Sequence, residues 1–123
     1  MNLVYDAGVL IAAEAGAERV WALHKRALER GVEPVLPAPV LTEVWRAGAR
    51  AHKLAEFIAS CVVEELTEER AKAAGVLLAN AADGVVDAVV TECALRRGAA
   101  CLTGNRAHIS ELAEPMHLHI IDI

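Results

Sequence analysis

No stretch of this chain approaches the roughly 18 consecutive apolar residues of a membrane span; the run AGVLIAA stops at Glu14. There is no glycine-rich phosphate loop, which argues against a nucleotide-binding or dehydrogenase role. Cysteine is scarce. Cys61, Cys93 and Cys101 are odd in number, lack metal-ligand spacing and sit among apolar neighbours, so they read as reduced core residues. No basic segment with a cleavage site opens the sequence, and the expected location is cytoplasmic. Repeats, linkers and low-complexity segments are also missing. Positive charge is in deficit: 12 Lys and Arg against 17 Asp and Glu leave a net charge of −5. That argues against broad, non-specific nucleic-acid binding, although local basic groups can still serve one site.

What the chain has in excess is apolar character. Apolar residues make up 55% of 123 residues, and the mean hydropathy is +0.35. This length suits one domain, residues 1–123, with a proper core. With no membrane span to absorb it, the surplus apolar surface is expected to meet another protein chain.

Strands and helices alternate along the sequence. MNLVYD reads as a short buried strand ending in Asp6, and AGVLIAAEAG as a helix broken near Gly16. Residues 17–30 form an amphipathic helix with Val20, Trp21, Leu23 and Leu28 largely on one side. VEPVLP is a second strand. Pro39 suits the first position of a third helix, APVLTEVWRAGARA, which carries Glu43 about one turn in. A fourth helix over 53–59, a strand CVVEEL, and a helix over 70–80 capped by Thr67 follow. Asp83 and Gly98 bracket the next helix as N-cap and C-terminal stop. The strand AACL, the turn Thr103-Gly104-Asn105, a short helical turn to about Ala113 and a terminal strand HLHIIDI complete the chain. This alternation predicts an α/β fold with a mostly parallel sheet covered on both faces.

The anomaly is Asp87, which valines 85, 86, 89 and 90 surround on a helix whose solvent face is marked by the i,i+4 pair Glu92 and Arg96. An inward carboxylate is costly without positive compensation. The helix N-terminus supplies only about 0.3–1 kcal/mol, so a bound cation is the natural complement. In parallel sheets ligands collect beyond the carboxyl ends of the strands. Asp6, Glu43, Asp87 and Asn105 are all placed to meet there.

These segments resemble the PIN-domain family, and within it the VapC-type toxins of bacterial toxin–antitoxin pairs. LVYDAGVLIAAE is similar to the family's opening strand and first acid, LTEVWRAG to the helix of the second, and VVDAVVTECALRRGAACLTGN to the third acid with the strand and turn after it. The resemblance covers nearly the whole chain. It implies a three-layer sandwich with a central mostly parallel sheet flanked by helices, and a metal-dependent endoribonuclease acting on single-stranded or looped RNA. Asp6, Glu43 and Asp87 would be catalytic residues and ligands to Mg²⁺ (or Mn²⁺), joined by Asn105 as a neutral ligand. The implied partners are the RNA, a small inhibitory antitoxin and a second copy of the chain, with no membrane. Mg²⁺ chemistry agrees, since that ion is held by a few oxygen ligands and keeps several waters.

One departure matters. Relatives often carry a fourth acid in or just after the Thr-x-Asn/Asp turn, whereas this chain has Asn105, Arg106, Ala107 and His108. Asn105 adds no charge, so one metal is expected in the free protein. An alternative is a PIN-fold binding or regulatory protein with a weakened nuclease site. Thr103, Asn105, Arg46 and Arg106, with Arg50, are candidates for substrate contact.

Each residue also has a plainer reading. Asp6 could cap the helix at Ala7, Glu43 could be a surface residue, and Asp87 could be stabilised by the helix dipole. Thr103 and Asn105 could be turn formers, and the arginines solvated charges. Trp45 is a base-stacking residue or, more simply, a core or dimer contact. His117 and His119 alternate in a strand without a third zinc ligand. A phospho-acceptor receiver would need paired acids after the first strand, a second Asp ending a central strand and a late lysine, all absent. A metal-free ribonuclease would need paired histidines, and none of the five pairs convincingly in the sequence.

Overall fold

In a computed structural model of the chain, residues 2–48 and 51–123 are described. Five short strands form one parallel sheet: β1 (Leu3–Tyr5), β2 (Val35–Pro37), β3 (Val62–Glu64), β4 (Ala100–Thr103) and β5 (Ile120–Asp122), in the order β3-β2-β1-β4-β5. All four pairings are parallel, as a β–α alternation requires. Helices α1 (Ala7–Glu14), α2 (Glu18–Glu29), α3 (Val40–Val44) and α4 (Ala51–Ala59) precede β3 or lead into it. Helices α5 (Glu68–Leu77), α6 (Val85–Arg97) and α7 (Arg106–Ala113) come later. Helix α1 packs against α2, α3 and α4, while α6 packs against α5 and α7.

The order of the strands fixes where a ligand can sit. From β1 the chain steps outward to β2 and β3, then returns to place β4 on the other side of β1. Right-handed crossovers in opposite directions put the two helix groups on opposite faces of the sheet. The strand order therefore reverses between β1 and β4, and the crevice beyond their carboxyl ends lies between diverging connections. Asp6 follows β1 there and Thr103 ends β4 there.

The core agrees with the apolar pattern except in particulars. Tyr5, Leu10, Leu36, Leu54, Phe57, Leu102 and Ile109 are fully buried. On α2 the sequence placed Leu28 inward, but Leu28 is exposed and His24 is buried instead. His24 can be buried because both ring nitrogens are satisfied, Nδ1 by the Tyr5 hydroxyl at 2.9 Å and Nε2 by Ser60 Oγ at 2.6 Å. Its ring also lies 4.1 Å from that of Phe57 between centroids. Trp45, one of whose readings was a core contact, is 45% exposed.

Helix α3 is shorter than expected. It ends at Val44, and Trp45 is extended (φ −74°, ψ 129°). Three of its five residues, Val40, Thr42 and Val44, are β-branched, which lowers helix propensity. The cap of α6 also differs. Gly84, not Asp83, is the N-cap, in the left-handed region (φ 96°), whereas Gly98 ends the helix in that region (φ 60°) as expected. The i,i+4 pair of Glu92 and Arg96 forms at 2.9 Å but does not face solvent. Glu92 is buried, and Arg96 reaches on to Glu64 at the end of β3.

Glu64 is the centre of that network. Burial alone would raise its carboxyl pKa, but hydrogen bonds from Arg96 and then Arg97 outweigh it and hold the group at about 2. Its folded-state value is depressed, so its contribution to stability is present above the ordinary carboxylate range and is lost as pH falls toward about 2. We expect Glu64→Gln to cost about 2 kcal/mol at pH 7. Glu68→Gln, which breaks only an exposed pair with Lys72, should cost under about 0.5 kcal/mol. Urea unfolding at neutral and acid pH checks both. The Glu64→Gln deficit should shrink in acid, and an equal deficit at both pH values would contradict this reading.

Candidate metal centre

Asp6 is fixed by three neighbours. As N-cap of α1 it accepts a hydrogen bond from the Gly8 amide at 2.9 Å through Oδ1. Its Oδ2 accepts from the Thr103 hydroxyl across the β1–β4 seam. Its own amide donates to the Leu102 carbonyl at 3.3 Å, continuing the strand pairing. Register explains the meeting: Tyr5 is opposite Leu102, so the next residues, Asp6 and Thr103, fall together. The capping role and the site role of Asp6 are thus compatible, because one oxygen serves each neighbour.

Glu43 on α3 and Asp87 on α6 lie near enough to Asp6 for their charges to be felt across the site. Asp6 is 5% exposed, while Glu43 is exposed and Asp87 half-buried. Burial raises the Asp6 carboxyl pKa; the hydrogen bonds from Thr103 and Gly8 pull it down, and the charge of Asp87 pushes it up again. Glu43 is also raised, first by partial loss of solvent around its carboxyl and then by the charges of Asp87 and Asp6. Three carboxyls from three elements therefore act on one another, although only two of the three are close to the sheet edge in sequence. Among the described residues, no three His, Cys, Asp or Glu side chains are close enough together to hold a metal ion by themselves.

A site of this kind suits only an ion that needs few protein ligands. Mg²⁺ is ordinarily held by one or two carboxylates with several waters retained, and it needs no full protein cage. The charges here repel one another, and among the described residues no Lys or Arg side chain is bonded to them. The Asp87 carboxylate has one such contact, with a ring: His108 Nδ1 lies 2.8 Å from Asp87 Oδ2.

The remaining sequence candidates lie as follows. Thr103 is fully buried, and its hydroxyl is engaged with Asp6 and with the Asn105 amide at 2.9 Å. That hydroxyl holds Asp6 and the turn together. Asn105 is the exposed N-cap residue of α7, and its side chain makes no capping hydrogen bond. Arg46 is exposed and turns back to the carbonyl oxygens of Trp45 (2.7 Å) and Thr42 (3.4 Å). Arg106 is engaged with Asp122 and the Ile120 carbonyl, tying α7 to β5. Arg50 lies outside the described residues. His108 is a site neighbour that sequence reasoning missed; its only sequence signal is that it lies three residues, or one helical turn, past Asn105.

Residues 3–115 match the PIN domain. The chain belongs to the PIN domain family. Its fold is shared with solved PIN-like chains at low identity. VapBC2 from Rickettsia felis, bound to a DNA fragment from its promoter, is 13% identical with a TM-score of 0.81, covering 100% of this chain and 99% of that one. A toxin–antitoxin complex from Klebsiella pneumoniae is 15% identical with a TM-score of 0.69, covering 97% and 95%. FitAB bound to an IR36 DNA fragment is 13% identical with a TM-score of 0.68, covering 98% and 94%. No curated protein matches the sequence.

Two outcomes follow for this PIN chain. Thr103→Val keeps the shape but removes the donor to Asp6, and should cost about 1–3 kcal/mol in urea unfolding. The second concerns pH. Raised folded-state values at Asp6 and Glu43 mean that these groups favour folding below the ordinary carboxylate range and oppose it once pH rises through the raised values. Glu43→Gln should therefore melt at or above the wild-type temperature at pH 7 without metal, and the difference should vanish near about pH 4. Scanning calorimetry checks this; a clear drop at pH 7 would show that Glu43 is stabilising.

Proposed function

We propose that this PIN chain is a divalent-metal-dependent endoribonuclease of the VapC toxin type, cleaving single-stranded or looped RNA. The observation that carries the proposal is that the charge of Asp87 raises the carboxyl pKa of both Asp6 and Glu43, a coupling of three acids from three elements near the β1–β4 reversal. Asp6, Glu43 and Asp87 would hold Mg²⁺ or Mn²⁺, with Asn105 as a neutral neighbour. When bound, such an ion positions and acidifies water and stabilises charge on the phosphate under displacement.

The chain's own groups supply the rest. Gly8 and Thr103 each engage one oxygen of the Asp6 carboxylate and together fix its direction. Glu43, on the exposed side, is the acid most open to exchange with solvent. Arg46 is the basic group proposed for phosphate contact, because its partners are neutral carbonyls. Arg106 is a poorer candidate for it, since Asp122 already offsets its charge.

Partners follow from surface and likeness. Ile11, Trp45, Val76, Val85 and Met116 are exposed apolar residues, and a groove of about 470 Å³ is lined by Leu41, Thr42, Trp45 and Ile58. The toxin–antitoxin complexes among the fold neighbours support an inhibitory protein partner, and the apolar surface supports a homodimer. No single helix among the described residues is long and apolar enough to cross a membrane, and a cytoplasmic location is part of this proposal. The missing fourth acid favours a second reading, a regulatory PIN protein with a weakened site.

Incubation of purified protein with total RNA separates the two. Wild type should cleave RNA with Mn²⁺ or Mg²⁺ and stop when EDTA is added, and Asp87→Asn should lose at least about 100-fold in rate while remaining folded. Full cleavage in EDTA, or by Asp87→Asn, would exclude the metal mechanism. A folded wild type that binds Mn²⁺ but leaves RNA intact would favour the regulatory reading.

A further inference from the structure

The contact at Asp87 points to a residue outside the acidic set. His108 sits in the first turn of α7, on a different element from Asp6, Glu43 and Asp87. Its Nδ1 lies 2.8 Å from Asp87 Oδ2, and its Nε2 lies 3.2 Å from the backbone oxygen of Asp83. The imidazole thus bridges the loop before α6 and the acid in that helix's first turn. Space for the ring is made by Gly84. A Cβ there would overlap His108 Cε1 and come within 2.8 Å of Nε2, and the left-handed backbone (φ 96°) further disfavours any side chain. Loop, helix and ring are therefore fitted to one another.

We infer that His108 is a positioning residue for the metal centre: its Nδ1–H holds Asp87 Oδ2, so that the other carboxylate oxygen is presented toward Asp6 and Glu43. This rests on the metal-site reading above. A carboxylate in the first turn of a helix has free rotation about its side-chain torsions unless something engages it. Asp6 is held by Thr103 and Gly8, whereas Asp87 has His108. Hydrogen-bonded partners of ligating groups fix the ligand's orientation, and their loss commonly costs about 10- to 100-fold in metal affinity or activity. The imidazole does not need to ligate the ion for this role. It also differs from the charge that a fourth acid would add, since it supplies direction and not anionic binding.

Two substitutions separate the ring's contacts. The amide nitrogen of an Asn side chain falls near the place of His Nδ1, and that of Gln near the place of Nε2. His108→Asn should keep the donor to Asp87, and His108→Gln should keep the reach to the Asp83 carbonyl while losing Asp87. Calorimetric titration with Mn²⁺ alone, on folded variants matched by circular dichroism, is the readout. His108→Gln should lose about 10- to 100-fold in Mn²⁺ affinity, and His108→Asn should stay close to wild type. Equal losses in both variants would reduce His108 to a packing residue, and unchanged or tighter binding in His108→Gln would show that the ring does not position Asp87, or that it competes with the ion. If wild type itself binds no Mn²⁺, the metal-site reading fails, a result distinct from any of these.

Discussion

The hydrogen bond between the Thr103 hydroxyl and the Asp6 carboxylate is the contact on which the site depends. It closes the seam between the first strand and the fourth, at the place where the order of the sheet reverses. Both residues are buried, so an unpaired carboxylate or hydroxyl there would be costly. The same hydroxyl receives the Asn105 amide and so shapes the turn into α7. That turn in turn sets where His108 begins its reach toward Asp87. Strand register, an acid's direction and a helix start are thereby linked through one side chain.

Two groups of carboxyls in this molecule obey opposite electrostatics. Glu64 is buried and answered by Arg96 and Arg97, which hold it ionised and make it part of the scaffold. Asp6 and Glu43 are pushed toward the protonated form by burial or lost solvent and by like charge. The first arrangement is what a fold does with an acid it must keep. The second is unfavourable in the free chain and would be relieved by a bound cation, the pattern expected of a functional site. Both sit near the carboxyl ends of strands, and only the partners distinguish them.

Much of this was legible in the sequence, for identifiable reasons. Parallel strands are short apolar runs bracketed by turn residues, and Leu3–Tyr5 and Ala100–Thr103 show that form plainly. Gly98 as a helix stop and Thr67 as a cap, which accepts from the Arg70 amide, are local effects that a sequence carries in full. The misses are tertiary. His24 replaced Leu28 in the core because Tyr5 and Ser60 satisfy it, and neither partner is near it in sequence. Glu92 and Arg96 formed the expected pair, yet Glu64, some thirty residues earlier, drew the pair inward. Asp83 gave up the cap to Gly84 because His108 must pass close to that backbone. The family likeness and the apolar setting of Asp87 point to the acids, whereas the contacts that restrain them, from Thr103 and His108, appear only in three dimensions.

The central claim is that three carboxylates form one open site for a divalent ion, and the stoichiometry of metal binding tests it most directly. Asn105 contributes no charge, and a second ion about 3.5–4 Å from the first would be repelled without another anion. Calorimetric titration of the RNA-free wild-type protein with Mn²⁺ at pH 7 should therefore show one weak site, tightened by Asn105→Asp if the new carboxylate turns inward. Two comparably tight sites, or no binding at all, would contradict this account of the centre.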